Sequence, residues 1–179
     1  MSAALGSVFG DKSNVVGLKD ENGTNRLTPN ERLKRDLRSF AADYGNDKSI
    51  RIEENKRGVV IHILDNLLFA SGDAELSRKA QTVLHRLADI LKKLPNDIRI
   101  EGHTDNVPIS SKMFPSNWHL SVRRALNTAY YLISTEKLSP DKVSIVGYSE
   151  YKPLETNDTP EGRSINRRVD IVIINKNKK

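Results

Sequence analysis

The sequence predicts a two-layer α/β (α+β) sandwich: helices packed on one face of a mixed four- to five-stranded sheet, preceded by an extra N-terminal helix. Two observations carry this. Helix-like spacing and strand-like alternation follow one another in the order helix, two strands, helix, strand, helix, strand, strand. At 37 % hydrophobic and 29 % charged, the 179 residues supply one apolar core and a well-solvated surface. No internal repeat interrupts the pattern.

Residues 1–27 read as linker, rich in Gly, Asn, Ser and charge. Their apolar points, Leu5, Val8 and Phe9, then Val15, Val16 and Leu18, suffice only for short amphipathic turns. Residues 28–48 hold the extra helix. Thr28-Pro29-Asn30-Glu31 starts it: Thr28 accepts from the N3 amide, Glu31 reaches back, and Pro29 sits at N1, where its missing N–H costs nothing. Leu33, Leu37, Phe40, Ala41 and Tyr44 give it an apolar face, and Gly45-Asn46 ends it.

Residues 49–179 hold the sandwich. Ser49 to Glu53 alternates as a half-buried strand, Asn55-Lys56-Arg57-Gly58 is a tight turn, and Val59 to Leu64 returns. Phe69 to Asp73 is a loop, and Ser77 caps a helix whose stripe runs Ala80, Val83, Leu84, Leu87, Ala88, Leu91 to a stop at Pro95. Ile98, Ile100 and Gly102 lie in a third strand. Residues 103–117 form a long loop with Pro108 and Pro115, a length that marks functional loops. A helix then starts at Asn117 or Trp118. Lys142 to Tyr148 is a fourth strand, Thr159-Pro160-Glu161 starts a short helix, and Val169, Ile171 and Ile173 alternate in a last strand.

The formal net charge is +6, a spread excess densest at Arg123-Arg124, Arg167-Arg168 and the tail Lys176 to Lys179. With no cysteine, disulfides and thiolate metal sites are excluded. No apolar run reaches the ~18 residues of a membrane span, and no export signal is evident. A chain working outside the cytoplasm would need an exporting segment that this sequence does not contain.

The chemistry-bearing residues concentrate in five segments. These are Ile100-Glu101-Gly102-His103-Thr104-Asp105-Asn106-Val107-Pro108, Pro115-Ser116-Asn117-Trp118-His119-Leu120-Ser121-Val122-Arg123-Arg124-Ala125, Val146-Gly147-Tyr148-Ser149-Glu150, Asn157-Asp158-Thr159-Pro160-Glu161-Gly162-Arg163 and Asn166-Arg167-Arg168-Val169. In this order they resemble the OmpA-like peptidoglycan-binding domain, over about residues 50–174. Gly-His-Thr-Asp, Leu-Ser-x-x-Arg-Ala and Asn-Arg-Arg-Val resemble the general family. Asn-Val-Pro-Ile, Pro-Ser-Asn-Trp and Asn-Asp-Thr-Pro-Glu-Gly-Arg resemble its MotB-type flagellar stator branch.

The resemblance implies a periplasmic, non-catalytic anchor that holds a motor stator to the cell wall. It implies a homodimer and a MotA-type membrane partner, reached through a single transmembrane helix absent from this sequence. It also makes Leu5, Val8 and Phe9 candidate plug residues for an ion channel. No cofactor and no nucleic-acid partner are expected. Stem peptides often end in diaminopimelate, a zwitterion. Asp105 can meet its ammonium and Arg124 its carboxylate, the planar guanidinium fork matching two oxygens. By the same resemblance Asn117 bonds the peptide or orients the loop, Thr104 helps at the loop, Leu120 walls the groove, and Arg168 adds a second positive contact.

Rival readings stand beside this one. Asp105 and Arg124 can form a structural ion pair, His103 a hydrogen-bonded structural residue, and Trp118 a packing residue at the helix start or a sugar platform. Tyr148 and Tyr151 can line a groove or cover a sheet edge. Glu101, Asp105 and Glu150 offer carboxylates for a hydrolase, but neighbouring arginines depress a general acid. The four histidines show no metal spacing. The basic charge alone suggests nucleic acid, without a motif to support it. A general OmpA-like wall anchor, from a lipoprotein or porin tail, differs from a stator only in what lies upstream.

Overall fold

Alternation around Lys56-Arg57 produces a hairpin of β1 (Ile50–Asn55) and β2 (Gly58–Leu64), with Ile52 opposite Ile61. The structure is a computed structural model and describes residues 27–44 and 49–175. The plug candidates Leu5, Val8 and Phe9, the helix stop at Gly45-Asn46 and the tail Lys176 to Lys179 lie outside the described residues.

Helix α1 (Pro29–Tyr44) starts as a capping box: the Glu31 amide donates to Thr28 Oγ1 (3.2 Å) and the Thr28 amide to Glu31 Oε2 (2.7 Å). After the hairpin come a one-turn helix α2 (Asp65–Leu68), α3 (Arg78–Leu91), β3 (Ile98–His103), α4 (Asn117–Ser134), β4 (Val143–Gly147), α5 (Pro160–Asn166) and β5 (Arg168–Ile174). Ser77 Oγ accepts from Ala80 N–H at the start of α3, and Thr159 Oγ1 accepts from Gly162 N–H at the start of α5. Helix α2 is too short to carry a period, so alternation and spacing pass over it.

The sheet order is β1-β2-β5-β3-β4. β3 and β4 are parallel, joined by the α4 crossover, and every other neighbouring pair is antiparallel. The last strand therefore sits in the middle. A row of isoleucines crosses the sheet on its helix-facing side: Ile52, Ile61, Ile171, Ile100 and Ile145. The first four are buried under α1, α3 and α4 with Phe40, Leu84, Leu87, Ala125 and Leu132, each large side chain contributing about 1.5–3 kcal/mol by burial. Helix α1 joins this core through Leu37, Phe40 and Ala41. Among the described residues no helix is long and apolar enough to cross a membrane.

Candidate functional site

The C-terminal end of β3 delivers Thr104-Asp105 to the rim of a cleft of about 570 Å³, walled by the following loop, α2 with the loop after it, α4 and the C-terminal end of α5. Close packing sets this wall. A Cβ on Gly102 would overlap the Ser121 carbonyl, so only glycine lets β3 pass against α4 there. The consequence is that Asn117, Leu120 and Arg124, on one face of α4, look into the cleft.

Four charges form an alternating row along its floor. Arg124 Nη1 donates to Asp65 Oδ2 (3.0 Å), Arg167 Nε lies 3.5 Å from the same oxygen, and Arg167 Nη1 donates to Asp105 Oδ2 (2.6 Å). Arg124 is only 2 % exposed, its Nε donating to the Asp73 carbonyl (2.8 Å) and its guanidinium lying 5.0 Å from the Phe69 ring centre. Burial pushes the Arg124 guanidinium below its ordinary pKa, against the pull of Asp65. Burial likewise pushes the Asp65 carboxyl up, while Arg124 and Arg167 pull it down. Arg167 is the partly open cation of the row.

The structure thus brings Asp105, Arg124, Asn117, Thr104 and Leu120 to one cleft. Asn117 is fully employed in shaping the loop: its Nδ2 donates to the Asp105 and Val107 carbonyls (3.3 and 3.0 Å) and its Oδ1 accepts from Ile109 N–H (3.3 Å). Thr104 Oγ1 donates to the Asp105 carbonyl (2.9 Å), and Asp105 Oδ1 accepts from Val107 N–H (3.0 Å). Leu120 packs with Ala74 and Phe114.

Arg168 is placed elsewhere. Its side chain lies on the sheet face opposite the helices, donating through Nε to Asp170 (3.0 and 3.2 Å) and through Nη2 to the Lys152 carbonyl (3.0 Å). Strand parity is the reason. Val169, Ile171 and Ile173 face the core, so Arg168 and Asp170 face away, and the second cleft cation is Arg167. Of the three motif residues, Asn166 secures the loop before α5, with Oδ1 accepting from Leu154 and Glu155 amides (2.8 and 3.0 Å). The same alternation used to find the strand contains this signal. Arg163, which ends the Asn157-to-Arg163 segment, also lines the cleft and donates to the Asn157 carbonyl (2.8 Å); Asp65, also in the lining, has no comparable signal, because its partner Arg124 is remote in sequence.

On that opposite face the carboxylates and histidines form a buried polar network. Asp170 takes His62 Nδ1 (2.7 Å) and lies 3.2 Å from His103 Nε2; Arg57 Nη1 donates to both Glu101 oxygens (2.9 Å each). His103 also stacks on Tyr148, 5.3 Å between centroids. Burial would raise the Asp170 carboxyl, but hydrogen bonds from His103 and His62, and the charges of His62 and Arg168, hold it well below the usual carboxylate range. Burial pushes the His103 imidazolium down, against Asp170. Unfolded His103 accepts a proton below about pH 6.5 that the folded state resists, so stability falls as pH drops through that value. A second loss begins below about pH 3.9, where unfolded Asp170 is protonated first. The melting temperature against pH should show both limbs, and His103→Gln should flatten the upper one; an unchanged upper limb would refute this assignment.

Glu101 is thus on the opposite face from Asp105, paired to Arg57, while Glu150 holds the Asn117 amide (3.3 Å). The three carboxylates do not converge. Trp118 is 48 % exposed and stacks on Tyr151, 5.5 Å away, rather than entering the cleft.

Comparison with known proteins agrees with this architecture. The OmpA family model matches residues 68–167. Motility protein B of Bacillus subtilis is 39 % identical over 145 residues, covering 80 % of this chain and 56 % of that protein, so the chain spans little more than half of that relative. The cell wall anchor of the T6SS from Pseudomonas aeruginosa superposes with a TM-score of 0.72 at 35 % identity, covering 78 % of this chain and 97 % of that one. The periplasmic domain of Helicobacter pylori MotB gives 0.66 at 28 % identity, over 72 % of this chain and 84 % of that one. With the fold, the Gly-His-Thr-Asp strand end and the Asn-Arg-Arg turn all in place, this chain belongs to the OmpA family.

Proposed function

We propose that the chain is the wall-anchoring part of a flagellar stator subunit, working outside the cytoplasmic membrane and gripping peptidoglycan without cutting it. The observation that carries this is the alternating row Arg124, Asp65, Arg167, Asp105 in an open cleft. Its outer pair can exchange partners with a zwitterion. The ligand's carboxylate takes Arg167, supported by Arg124 behind it, and its ammonium takes Asp105. No charge is left unpaired, which a partly desolvated site requires. Separation of Glu101 from Asp105 supports binding rather than cleavage. The similarity to Motility protein B supports the stator reading, and with it a homodimer and a MotA-type membrane partner.

Sedimentation with purified peptidoglycan tests the reading. A soluble muropeptide ending in diaminopimelate should compete about 10-fold or more better than one carrying lysine there, which keeps the ammonium but lacks the carboxylate. Equal competition would reject the zwitterion model. The similarity to the T6SS wall anchor favours a second reading, a wall anchor without a motor role. The native sequence upstream decides: a single membrane helix carrying an acid supports the stator, a lipid attachment site the alternative.

A further inference from the structure

The face of the sheet opposite the helices carries a polar cluster that the wall-binding cleft does not use. Glu101 and His103, two residues apart on β3, point to the same side. Strand register sets Asp170 of β5 directly opposite Glu101, and His62 of β2 directly opposite Asp170. Strand pairing builds the cluster, which is why the histidines show no metal spacing along the sequence. Glu101, His103 and Asp170 are each no more than 2 % exposed.

Their donor atoms converge. His103 Nε2 lies 3.2 Å from Asp170 Oδ2 and 3.9 Å from Glu101 Oε2, and one donor atom from each of the three residues lies within 4.8 Å of the others. A tetrahedral zinc ion holds its ligand atoms about 3.4 Å apart. A second observation points the same way. Both ring nitrogens of His103 are buried without an aligned hydrogen-bond partner, a cost that buried polar groups rarely bear. The ring itself is clamped by its stack on Tyr148. The Asp170 carboxylate is also fixed. His62 Nδ1 (2.7 Å) and Arg168 Nε (3.0 Å) grip Oδ1, and Arg168 reaches Oδ2 at 3.2 Å, which leaves Oδ2 a lone pair on the His103 side.

We propose that Glu101, His103 and Asp170 bind a divalent transition-metal ion, and that Arg57 is the cation the ion displaces. Arg57 Nη1 bridges both Glu101 oxygens at 2.9 Å, yet its side chain is 47 % exposed and rises from the turn between β1 and β2, so it can swing into water. With Arg57 out, the two carboxylates exceed Arg168 by one negative charge, which favours an incoming cation. The ion takes Glu101, His103 Nε2 and Asp170 Oδ2, and its fourth position opens on a cleft of about 400 Å³ on this face. One imidazole with two carboxylates suits zinc, nickel(II) or cobalt(II) rather than magnesium, which seeks six oxygens and keeps its water. The ion ties the neighbouring strands β3 and β5 together at the middle of the sheet. This site is on the other side of the sheet from the wall-binding cleft, so its test does not depend on what that cleft binds.

Equilibrium dialysis of the whole chain against zinc chloride should load a single ion per chain, and magnesium chloride should load none. His103→Gln should weaken zinc binding about 10-fold or more, with circular dichroism to check that the variant folds. Arg57→Ala should bind zinc about 10-fold tighter, because the competing cation is gone, and a gain of affinity cannot come from a variant that fails to fold. Zinc should also raise the melting temperature of Arg57→Ala more than that of the wild type. His85→Gln, in the pair with Glu136 elsewhere on the molecule, should leave zinc binding unchanged. No uptake of zinc, nickel or cobalt by the wild type, equal affinity in His103→Gln, no gain in Arg57→Ala, or loss of the ion in His85→Gln would overturn the proposal.

Discussion

Arg124→Ala should lose peptidoglycan binding and about 3–5 kcal/mol of stability together, because it strips one partner from a buried ion pair. Asp65 would be left facing Arg167 alone, the Asp73 carbonyl would lose its donor, and Phe69 its covering cation. Asp105→Ala should behave differently. Asp105 is buried and also accepts from Val107 N–H, but its partner Arg167 is partly open to water, so its removal should cost less than that of Arg124, about 1–3 kcal/mol, while abolishing sedimentation with the wall. Thermal unfolding and sedimentation, run on both variants, separate the two roles. Wild-type stability in Arg124→Ala would show that the row is looser than its geometry. Retained wall binding in both variants would remove the cleft as the binding site.

Gly102→Ala should be among the most damaging substitutions in the chain, at about 3 kcal/mol or more. The new methyl meets the Ser121 carbonyl, backbone against backbone, and no rotamer can relieve it. Relief requires α4 to move off β3, carrying Asn117, Leu120 and Arg124 away from Thr104 and Asp105. The urea midpoint should drop, and wall binding should weaken even where the protein remains folded. A variant with unchanged midpoint would mean that α4 shifts freely, contrary to the buried Ala125, Ala129 and Leu132 beneath it.

Much of this architecture is legible without coordinates. The capping box at Thr28, the caps at Ser77 and Thr159, and the alternating strands are local patterns whose physics acts within a few residues. The α2 turn escapes because four residues carry no period. Asp105 and Arg124 were legible as chemistry, since a carboxylate ending a strand and an arginine starting a helix suit a zwitterion. Their pairing was not. Sequence reading sets these two as counterparts, whereas the fold interposes Asp65 and Arg167 between them. Arg168, expected in the groove, points to the other face because side chains in a strand alternate and its neighbours Val169 and Ile171 claim the core.

The sequence by itself determined the order of the elements long enough to carry a period, the mixed two-layer class and the motifs that mark the OmpA family. Those depend on periodicity and on residue chemistry, both written along the chain. Only the tertiary structure decided that β5 lies at the centre of the sheet and which arginine reaches the cleft. Each of these follows from which distant strands pair, and strand pairing is a contest between segments far apart in sequence that no local pattern can settle.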